Sequence, residues 1–296
     1  MRVDVLPGLA FGDAYALGWE FSWPPPRPRW SDDPSLLRPV MRGGNACYSD
    51  DTEMALILAR HLLLHGGVDQ DGLARELAAG ARLGDECRFY GSTTSFVLYR
   101  VREGVPWREA SGETMSYGNG AAIRAPPVAV YFREAEAVVE AARLQAEVTH
   151  SHPLGVQGAQ IVALAVYHAL EGVPPEELPS RIVDDLALDK VYRDRLRAVE
   201  GLLGSTPLEA ALKLGTGAAA PESVPSALLS AARAEGSVVK AVLSAICLGG
   251  DTDSIASMAA SIVAAYSGVD APRELLAAIE GYSEIEDISR RLAGEA

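Results

Sequence analysis

Two aspartates open an apolar stretch near the carboxyl end of the chain. The segment reads LGGDTDSIASMAAS, with Asp251 and Asp253 ahead of a run of small and aliphatic residues. Aspartate and serine are common at helix starts, where they cap backbone amides and interact with the positive end of the helix dipole. One capping residue suffices, however, and a second buried carboxylate is costly unless a positive charge neutralises it. Helix capping and metal binding are therefore both open here.

A second acidic cluster precedes another apolar helix. The segment YSDDTEMALILA places Ser49, Asp50 and Asp51 just ahead of an apolar run. Neighbouring side chains point about 100° apart around a helix, but at a first turn both can reach a common point beyond its end. All-oxygen ligands suit hard cations such as Mg²⁺, Mn²⁺ or Ca²⁺. Each cluster alone is more typical of a cap, whereas both together, with Ser254, favour a centre of two cations.

A glycine-rich segment lies between the two acidic clusters. It reads SYGNGAAIRAPPVAVYF, in which Gly118, Asn119 and Gly120 can turn backbone N–H groups toward one anion. A helix that begins at Ala121 would add the attraction of its dipole. A tight turn explains the same glycines equally well. Arg124 either meets a phosphate or braces a loop through an acidic neighbour.

Two further segments carry weaker signals. FYGSTTSFVLYR supplies Gly91 among hydroxyl side chains, which says little by itself. EVTHSHPLGVQGAQIVALA holds His150 and His152 just before Pro153 and a helix. This spacing suits capping or loop hydrogen bonds at least as well as ligand contact. It is consistent with a substrate contact by His150 and not with a zinc site.

The elements that must position these residues are mostly helices. Helix formers recur at helical spacing in several segments that end at glycine or proline, including TEMALILARHLLLHGG, EAEAVVEAARLQAEVTH and GAQIVALAVYHALEG. VVKAVLSAICLGG fits a strand or a helix by composition, and its length and alanines favour a helix. Breaks at 23–34, 171–180 and 215–225 do not resemble interdomain linkers, and we expect a loop in the first, which is rich in proline. We predict an all-α fold with many helices around one core, in a single domain over residues 1–296.

Composition excludes several classes of function. The net charge of −14 argues against binding nucleic acid through its phosphates. No uninterrupted apolar run approaches the length of a membrane span, and the amino-terminal stretch, with Asp4, lacks the basic region of a signal peptide. Cys47, Cys87 and Cys247 are odd in number and far apart, which predicts reduced, buried thiols in a cytoplasmic protein.

In their order along the chain, these segments resemble the ADP-ribosylglycohydrolase family, which includes dinitrogenase reductase-activating glycohydrolase. The matching segments span residues 8 to 268 and are GLAFGDAYALGWEF, YSDDTEMAL, FYGSTTSF, YGNGAAIRAPP, THSHPLGVQGA, PESVPSAL and GGDTDSIASMAASIVAAYSG. The paired acidic motifs with GNGAAIR between them are specific as a set, far more than any one alone.

The resemblance implies a single all-α domain with two Mg²⁺ or Mn²⁺ ions at the base of an ADP-ribose cleft. By motif, the metal ligands would be Ser49, Asp50, Asp51, Asp251, Asp253 and Ser254. Family members commonly carry threonine where this chain has Ser49 and Ser254, so the hydroxyl is kept. The substrate-binding residues would be Gly91, Ser116, Tyr117, Gly118, Asn119, Gly120 and His150.

The implied reaction is hydrolysis of an α-linked ADP-ribosyl bond on a protein side chain or a small acceptor. Asp50 or Asp251 would act as base, and Glu20, which matches a mobile-loop glutamate of some members, as acid or gate. A solvent-exposed loop carboxylate explains Glu20 equally well. A non-catalytic ADP-ribose-binding or structural relative and a hydrolase of another nucleotide or ribosyl compound remain alternatives. We expect no nucleic acid or membrane partner, and a monomer by default.

Overall fold

The chain folds almost entirely into α-helices, which confirms the predicted fold class. A computed structural model describes residues 4–22 and 29–295. The helices of the first half are α1 (Val5–Ala16), α2 (Asp50–His65), α3 (Gln70–Gly80), α4 (Ser92–Arg102), α5 (Trp107–Thr114), α6 (Gly120–Ile123), α7 (Pro126–Tyr131) and α8 (Ala135–Glu147). Those of the second half are α9 (Pro153–Leu170), α10 (Leu178–Asp185), α11 (Lys190–Leu202), α12 (Pro207–Leu214), α13 (Ala220–Ala232), α14 (Val238–Leu248), α15 (Thr252–Ser267), α16 (Arg273–Ala277) and α17 (Tyr282–Leu292).

Apart from the α-helices, the described residues contain only two short β-strands and two 3₁₀ turns. Strands β1 (Met41–Arg42) and β2 (Asn45–Ala46) pair antiparallel. Single 3₁₀ turns lie at Leu17–Trp19 and Pro34–Leu36. The segment whose composition fits a strand or a helix forms α14, as its length predicts.

Helix α15 lies at the centre of the fold. It is buried along nearly its whole length, and α1, α9, α13 and α14 pack around it. Its alanines and serines leave room for close neighbours on every side. One continuous hydrophobic core contains residues from α1 through α17.

Helices α1 and α15 approach each other closely because α1 presents glycines on the contact face. Gly8 and Gly12 are four residues apart and therefore lie on one side of the helix. A Cβ on Gly12 would collide with the carbonyl oxygen of Ala256, and one on Gly8 with the Cβ of Ala264. This contact fixes the position of Asp13, the residue that follows the second glycine.

Helix α9 is long and apolar enough, by length and composition alone, to cross a membrane. The sequence predicts no such span. Most of the helix is buried inside the protein. It packs against α6, α8, α13 and α15. These contacts are typical of a core helix of a globular protein.

The prediction of three reduced thiols is wrong for two of the cysteines. Cys47 and Cys87 form a disulfide, whereas Cys247 is buried, as predicted. The partners are 40 residues apart in sequence, but their Cα atoms lie 5.9 Å apart, a normal separation for a disulfide. Spacing along the chain concealed the pairing, because the loop after α3 folds back onto the start of α2.

Only part of the proline-rich segment is described. Residues 23–28 lie outside the described residues, so the loop expected there stays a prediction. Further on, the Trp30 Nε1 donates a hydrogen bond to the carbonyl oxygen of Ser205. The guanidinium of Arg233 lies 3.9 Å from the centre of the Trp30 ring. These contacts attach the end of the segment to the loop before α12.

Candidate active site

The start of α2 holds the first acidic motif. Ser49 caps the helix, and its Oγ accepts a hydrogen bond from the backbone N–H of Asp51 at 3.2 Å. The backbone N–H of Asp50 donates to the carbonyl oxygen of Arg88 at 2.7 Å. Because Ser49 provides the cap, neither aspartate is needed for it. The buried Oδ2 of Asp51 has no hydrogen-bond partner among the described residues.

The start of α15 holds the second acidic motif. Asp251 stands at the N-cap position, but its side chain makes no capping hydrogen bond. Its Oδ2 instead accepts from the Asn119 Nδ2 at 2.8 Å, and its backbone N–H donates to the carbonyl oxygen of Thr216 at 2.8 Å. The buried Oδ1 of Asp253 has no hydrogen-bond partner in the part of the chain that the structure describes. Helix capping therefore does not explain this motif.

A third buried carboxylate, Asp13, supports the first motif. It projects from α1 and accepts hydrogen bonds from the backbone N–H groups of Ser49 and Thr52, at 2.9 and 3.0 Å. The Thr52 hydroxyl donates a further bond at 2.6 Å. Asp13 thus holds the first turn of α2 in place. No motif in the sequence marks Asp13 as a site residue. The available signal is its position as a lone aspartate in the apolar run GLAFGDAYA.

Burial raises the pKa of the carboxyl groups at the two motifs. For Asp50, Asp51 and Asp253 the pKa lies well above its ordinary value, first because of burial and then because neighbouring carboxylates repel the charge. A hydrogen bond from Ser254 offsets part of this effect at Asp51 and links the two helix starts. The charged forms therefore need a compensating positive charge.

Glu20 joins the carboxylates at the mouth of the cleft. One carboxylate oxygen from each of Glu20, Asp251 and Asp253 lies within 4.8 Å of the others. Burial, followed by the charges of Asp251 and Asp13, raises the pKa of Glu20 to about 7. The alternative of a solvent-exposed loop carboxylate therefore does not describe this residue.

The donors at this wall of the cleft fit hard divalent cations. Two buried oxygens, on Asp51 and Asp253, lack hydrogen-bond partners among the described residues. The hydroxyl groups of Ser49 and Ser254 are buried beside them. Carboxylate and hydroxyl oxygens are the ligands that Mg²⁺, Mn²⁺ and Ca²⁺ prefer. The residues present can thus hold such ions.

The glycine loop forms the opposite wall. Gly118 pairs with Ala219 in an antiparallel bridge, and the backbone N–H of Asn119 donates to the carbonyl oxygen of Ala218 at 2.9 Å. The backbone N–H of Gly118 donates to the Ser116 Oγ at 3.3 Å. Two of the three amides that the sequence analysis assigned to an anion therefore hold the loop itself. The third amide, the backbone N–H of Gly120, lies at the start of α6.

His150 lies directly behind this loop. A Cβ at Gly120 would come within 3.2 Å of the His150 Cε1, so a side chain at this position would require the ring to shift by a few tenths of an ångström. The His150 Nδ1 and the Thr149 Oγ1 are hydrogen-bonded at 2.8 Å. Burial, and secondly the charge of Arg124, lowers the pKa of His150 to about 3, so the ring is neutral at physiological pH. His152 caps α9 by accepting from the backbone N–H of Leu154.

Arg124 takes neither of the roles expected from the sequence. It is fully buried, and its Nε and Nη2 donate to the side-chain and backbone oxygens of Gln145, each at 2.7 Å. It therefore braces the loop after α6 through an amide rather than an acidic neighbour. Burial lowers the pKa of Arg124 to about 9.

Most of the predicted site residues line one cleft of about 160 Å³. The predicted residues in its lining are Glu20, Asp50, Asp51, Gly91, Gly118, Asn119, Gly120, His150, Asp251, Asp253 and Ser254. Ser49 and Ser116 are buried next to the lining, and Tyr117 is half exposed on the glycine loop. The lining residues that the sequence analysis did not name are Phe21, Phe89, Thr93, Thr94 and Ala218.

A larger cavity of about 750 Å³ lies at the far end of α9, between α8 and α10. Its carboxylates do not form a buried group: His168 and Arg181 both contact Asp185, at 2.8 and 2.9 Å. The smaller cleft therefore holds the chemistry that the sequence indicates, despite its size.

A second group of possible metal ligands lies at the end of α2. His61, His65 and Glu76 are within reach of one ion. The His61 Nε2 accepts from the backbone N–H of Asp69, so its Nδ1 carries the proton and donates to Glu76 at 2.8 Å. A hydrogen-bonded set explains these residues without an ion.

Comparison with known proteins identifies the class to which this fold and cleft belong. The family model for ADP-ribosylglycohydrolase matches residues 3–296. The chain therefore belongs to the ADP-ribosylglycohydrolase family.

Relatives of the chain come from animals and bacteria. ADP-ribosylhydrolase ARH3 of Bos taurus is 33% identical over 284 residues, which cover 83% of this chain and 78% of that protein. The uncharacterized protein YegU of Escherichia coli (strain K12) is 31% identical over 304 residues, or 91% of this chain and 88% of that protein. A solved ADP-ribosylglycohydrolase-related protein complex has a TM-score of 0.75 at 25% identity, over 99% of this chain and 97% of that one.

Proposed function

We propose that the chain is a metal-dependent hydrolase that cleaves the α-linked glycosidic bond between ADP-ribose and a protein side chain or small acceptor. The observation that carries this proposal is the cleft, where buried carboxylates, two of them with oxygens that lack partners in the described part of the chain, lie together with a glycine loop. Membership of the ADP-ribosylglycohydrolase family supports the same class of reaction.

Two divalent cations, Mg²⁺ or Mn²⁺, would be held at the starts of α2 and α15. The proposed ligands are Ser49, Asp50, Asp51, Asp251, Asp253 and Ser254. Such ions, when bound, polarise oxygen-rich substrates and lower the pKa of water. Among the described residues, one buried oxygen of Asp51 and one of Asp253 have no hydrogen-bond partner, which supports the assignment, because buried carboxylates without a counter-charge are unfavourable.

The glycine-loop wall would bind the diphosphate and the distal ribose. Gly120 keeps the wall open toward His150, which is neutral and buried and therefore acts through hydrogen bonds rather than charge. Asn119 connects the two walls, because its side-chain amide donates to the carboxylate of Asp251. Ser116, Tyr117, Gly118 and Gly91 complete the proposed substrate-binding set.

Glu20 is the proposed proton carrier. In the reaction the bond from the anomeric carbon to the acceptor breaks, a bond to a water oxygen forms, and one water proton ends on the acceptor. The carboxylate of Glu20, an oxygen of which lies within 4.8 Å of carboxylate oxygens of Asp251 and Asp253, is placed to take and return that proton. Asp50 and Asp251 remain alternatives as the base, although Asp251 is already engaged by Asn119.

Release of ADP-ribose from defined substrates tests the proposal. The purified chain would be incubated with arginine-linked, serine-linked and O-acetyl-linked ADP-ribose, in Mg²⁺, in Mn²⁺ and in EDTA. We expect release from at least one linkage and its loss in EDTA, with recovery when metal is restored. Asp253→Ala should lack activity, while the surface variant Asp194→Ala on α11 should retain it.

Two results would overturn the proposal. Turnover that EDTA leaves unchanged would remove the role of the cations. Binding of ADP-ribose without release from any linkage would assign the chain to the non-catalytic alternative, and calorimetry with ADP-ribose against AMP and ribose phosphates would detect it.

A further inference from the structure

One arginine contacts the chain on both sides of Ser49. The Nη1 of Arg88 donates to the carbonyl oxygen of Tyr48, the residue before Ser49. The carbonyl oxygen of Arg88 accepts from the backbone N–H of Asp50, the residue after Ser49, at 2.7 Å. Arg88 thus holds both neighbours of the serine that caps α2, and these contacts fix the path of the backbone through that serine.

The guanidinium of Arg88 is itself held in one orientation. The side chain is fully buried, and the guanidinium lies 4.1 Å from the centre of the Tyr48 ring. Its Nε donates to Glu53 at 3.0 Å, and its Nη2 donates to Glu280 at 2.9 Å. Because a planar guanidinium presents its donors in a rigid fork, these two bonds also fix the direction of the Nη1 donor.

The two carboxylates that bind Arg88 have other partners. Glu53 also accepts from the Nε and the backbone N–H of Arg82. Glu280 also accepts from the Nη1 of Arg82 and the Nη2 of Arg42, each at 3.2 Å. Both acids therefore keep an ion pair when Arg88 is replaced. What Arg88 adds to these pairs is the hydrogen bond to the backbone just before the first acidic motif.

The charges around Arg88 cancel one another. Three guanidinium groups pair with three carboxylates in this network, whose members are Arg42, Arg82, Arg88, Glu53, Asp85 and Glu280. The network therefore brings no net formal charge to the carboxylates at the starts of α2 and α15, which form the carboxylate wall of the cleft. An effect of Arg88 on that wall has to come from the position of the backbone.

We propose that Arg88 is a positioning residue for the cation site, which directs the side chains of Ser49 and Asp50 by holding the backbone on both sides of Ser49. This inference rests on the proposed function, in which Ser49 and Asp50 are cation ligands. Arg88 does not line the cleft, so it acts through these two residues and not on the ions or the substrate. Residues that orient ligands in this way typically change metal affinity about 10- to 100-fold.

Titration with Mn²⁺ followed by electron paramagnetic resonance tests the proposal, because it measures the Kd and the number of ions per chain separately. Arg88→Met keeps a long side chain without donors, and Arg88→Lys keeps the charge without the planar fork. For both variants we expect the Kd to rise about 10- to 100-fold while the number of bound ions stays at the wild-type value. A purely structural role would instead reduce the fraction of chains that bind ions.

Two controls separate positioning from the general loss of an ion pair. Glu280→Gln weakens one ion pair of Arg88 but leaves its bond to Tyr48, so the Kd should change by less than about threefold. Arg143→Lys makes the same exchange on α8, at an arginine paired with Glu140 and Glu147, and should leave the Kd unchanged.

The outcomes distinguish this role from the proposed function. A higher Kd at a constant number of ions, in every Arg88 variant that unfolds cooperatively on heating, supports the positioning role. An unchanged Kd, with or without fewer ions per chain, overturns it and leaves the cation site in place. Loss of cooperative unfolding in both variants overturns it as well, because Arg88 would then serve the fold alone.

Two further results would count against the role of Arg88. A rise in the Kd of Glu280→Gln as large as that of the Arg88 variants would make ion pairing the cause and overturn positioning. Absence of Mn²⁺ binding by the wild type would overturn the cation site of the proposed function and the role of Arg88 together.

Discussion

The two walls of the cleft differ in whether their buried polar groups are hydrogen-bonded within the protein. On the glycine-loop wall, Asn119 and Arg124 are hydrogen-bonded within the protein, and His150 is neutral. On the carboxylate wall, oxygens of Asp51 and Asp253 lack partners among the described residues, and the pKa values of both carboxyl groups are raised. The polar groups of one wall are thus satisfied within the protein, whereas the other wall has buried carboxylates whose charge the proposed cations would balance.

The largest effect is expected from removing a charge on the carboxylate wall. Asp253→Asn should lower kcat about a thousandfold, because a lost ligand removes several kcal/mol of electrostatic stabilisation. The metal-free variant should also be more stable than the metal-free wild type, since a buried charge is gone. Steady-state kinetics and thermal unfolding in EDTA measure both effects. A variant that loses activity and is also less stable without metal would contradict the contrast between the walls.

A smaller effect, on metal affinity, is expected from a change at Asp13, which supports the carboxylate wall. Asp13→Asn removes one of the carboxylate oxygens that receive hydrogen bonds from Ser49 and Thr52. Residues that orient metal ligands typically change metal affinity about 10- to 100-fold, and we expect a loss in that range. Titration with Mn²⁺ followed by electron paramagnetic resonance measures it. Asp189→Asn, a change at the cap of α11, provides a control remote from the cleft. Unchanged Mn²⁺ affinity in Asp13→Asn would limit Asp13 to a structural role.

A change on the glycine-loop wall should weaken the binding of ADP-ribose and leave the affinity for Mn²⁺ unchanged. Gly120→Ala places a Cβ 3.2 Å from the Cε1 of His150, a tight contact that the ring relieves only by shifting a few tenths of an ångström. Overpacking of this kind should weaken ADP-ribose binding about tenfold. Affinity for Mn²⁺ should not change, because the wall already satisfies its own hydrogen bonds. Calorimetry with each ligand tests the separation, and a parallel loss of Mn²⁺ affinity would show that the walls are coupled.

The smallest effect concerns the pH dependence of stability. The pKa of Glu20 rises from 4.5 to about 7 on folding, so the protonated form stabilises the fold below pH 4.5 and this contribution is lost as the pH rises through 7. Cations replace the protons, so Mn²⁺ should raise the melting temperature more at pH 8 than at pH 5. For a chain of this size each kcal/mol is worth roughly 2–4 °C in calorimetry. An equal gain at both pH values would contradict the raised pKa values.

Local sequence patterns predict several helices and the glycine loop of this protein. The start of α2 follows from the capping residue Ser49 ahead of an apolar run, and α14 follows from its length and alanines. The glycine loop is likewise visible in the sequence, because its conformation depends on a few adjacent residues.

Contacts between distant segments were not predictable in the same way. Asp13 acts on α2 only because Gly8 and Gly12 bring α1 against α15, and no local pattern records that packing. The sequence predicts only a break at 215–225, yet the carbonyl oxygen of Thr216 accepts from the backbone N–H of Asp251. The disulfide of Cys47 joins two loops that meet only in the folded chain.

The hydrogen bonds of Asp13 have a consequence for how the protein is made. The carboxylate wall combines Asp13 from the first helix, the start of α2, and the start of α15 close to the carboxyl end. Contacts of such high sequence separation form late, because the intervening chain must close first. The proposed ion site therefore forms only once α1 has packed against α2 and α15. On the proposed function, cation uptake by a refolding chain would therefore mark the last steps of folding.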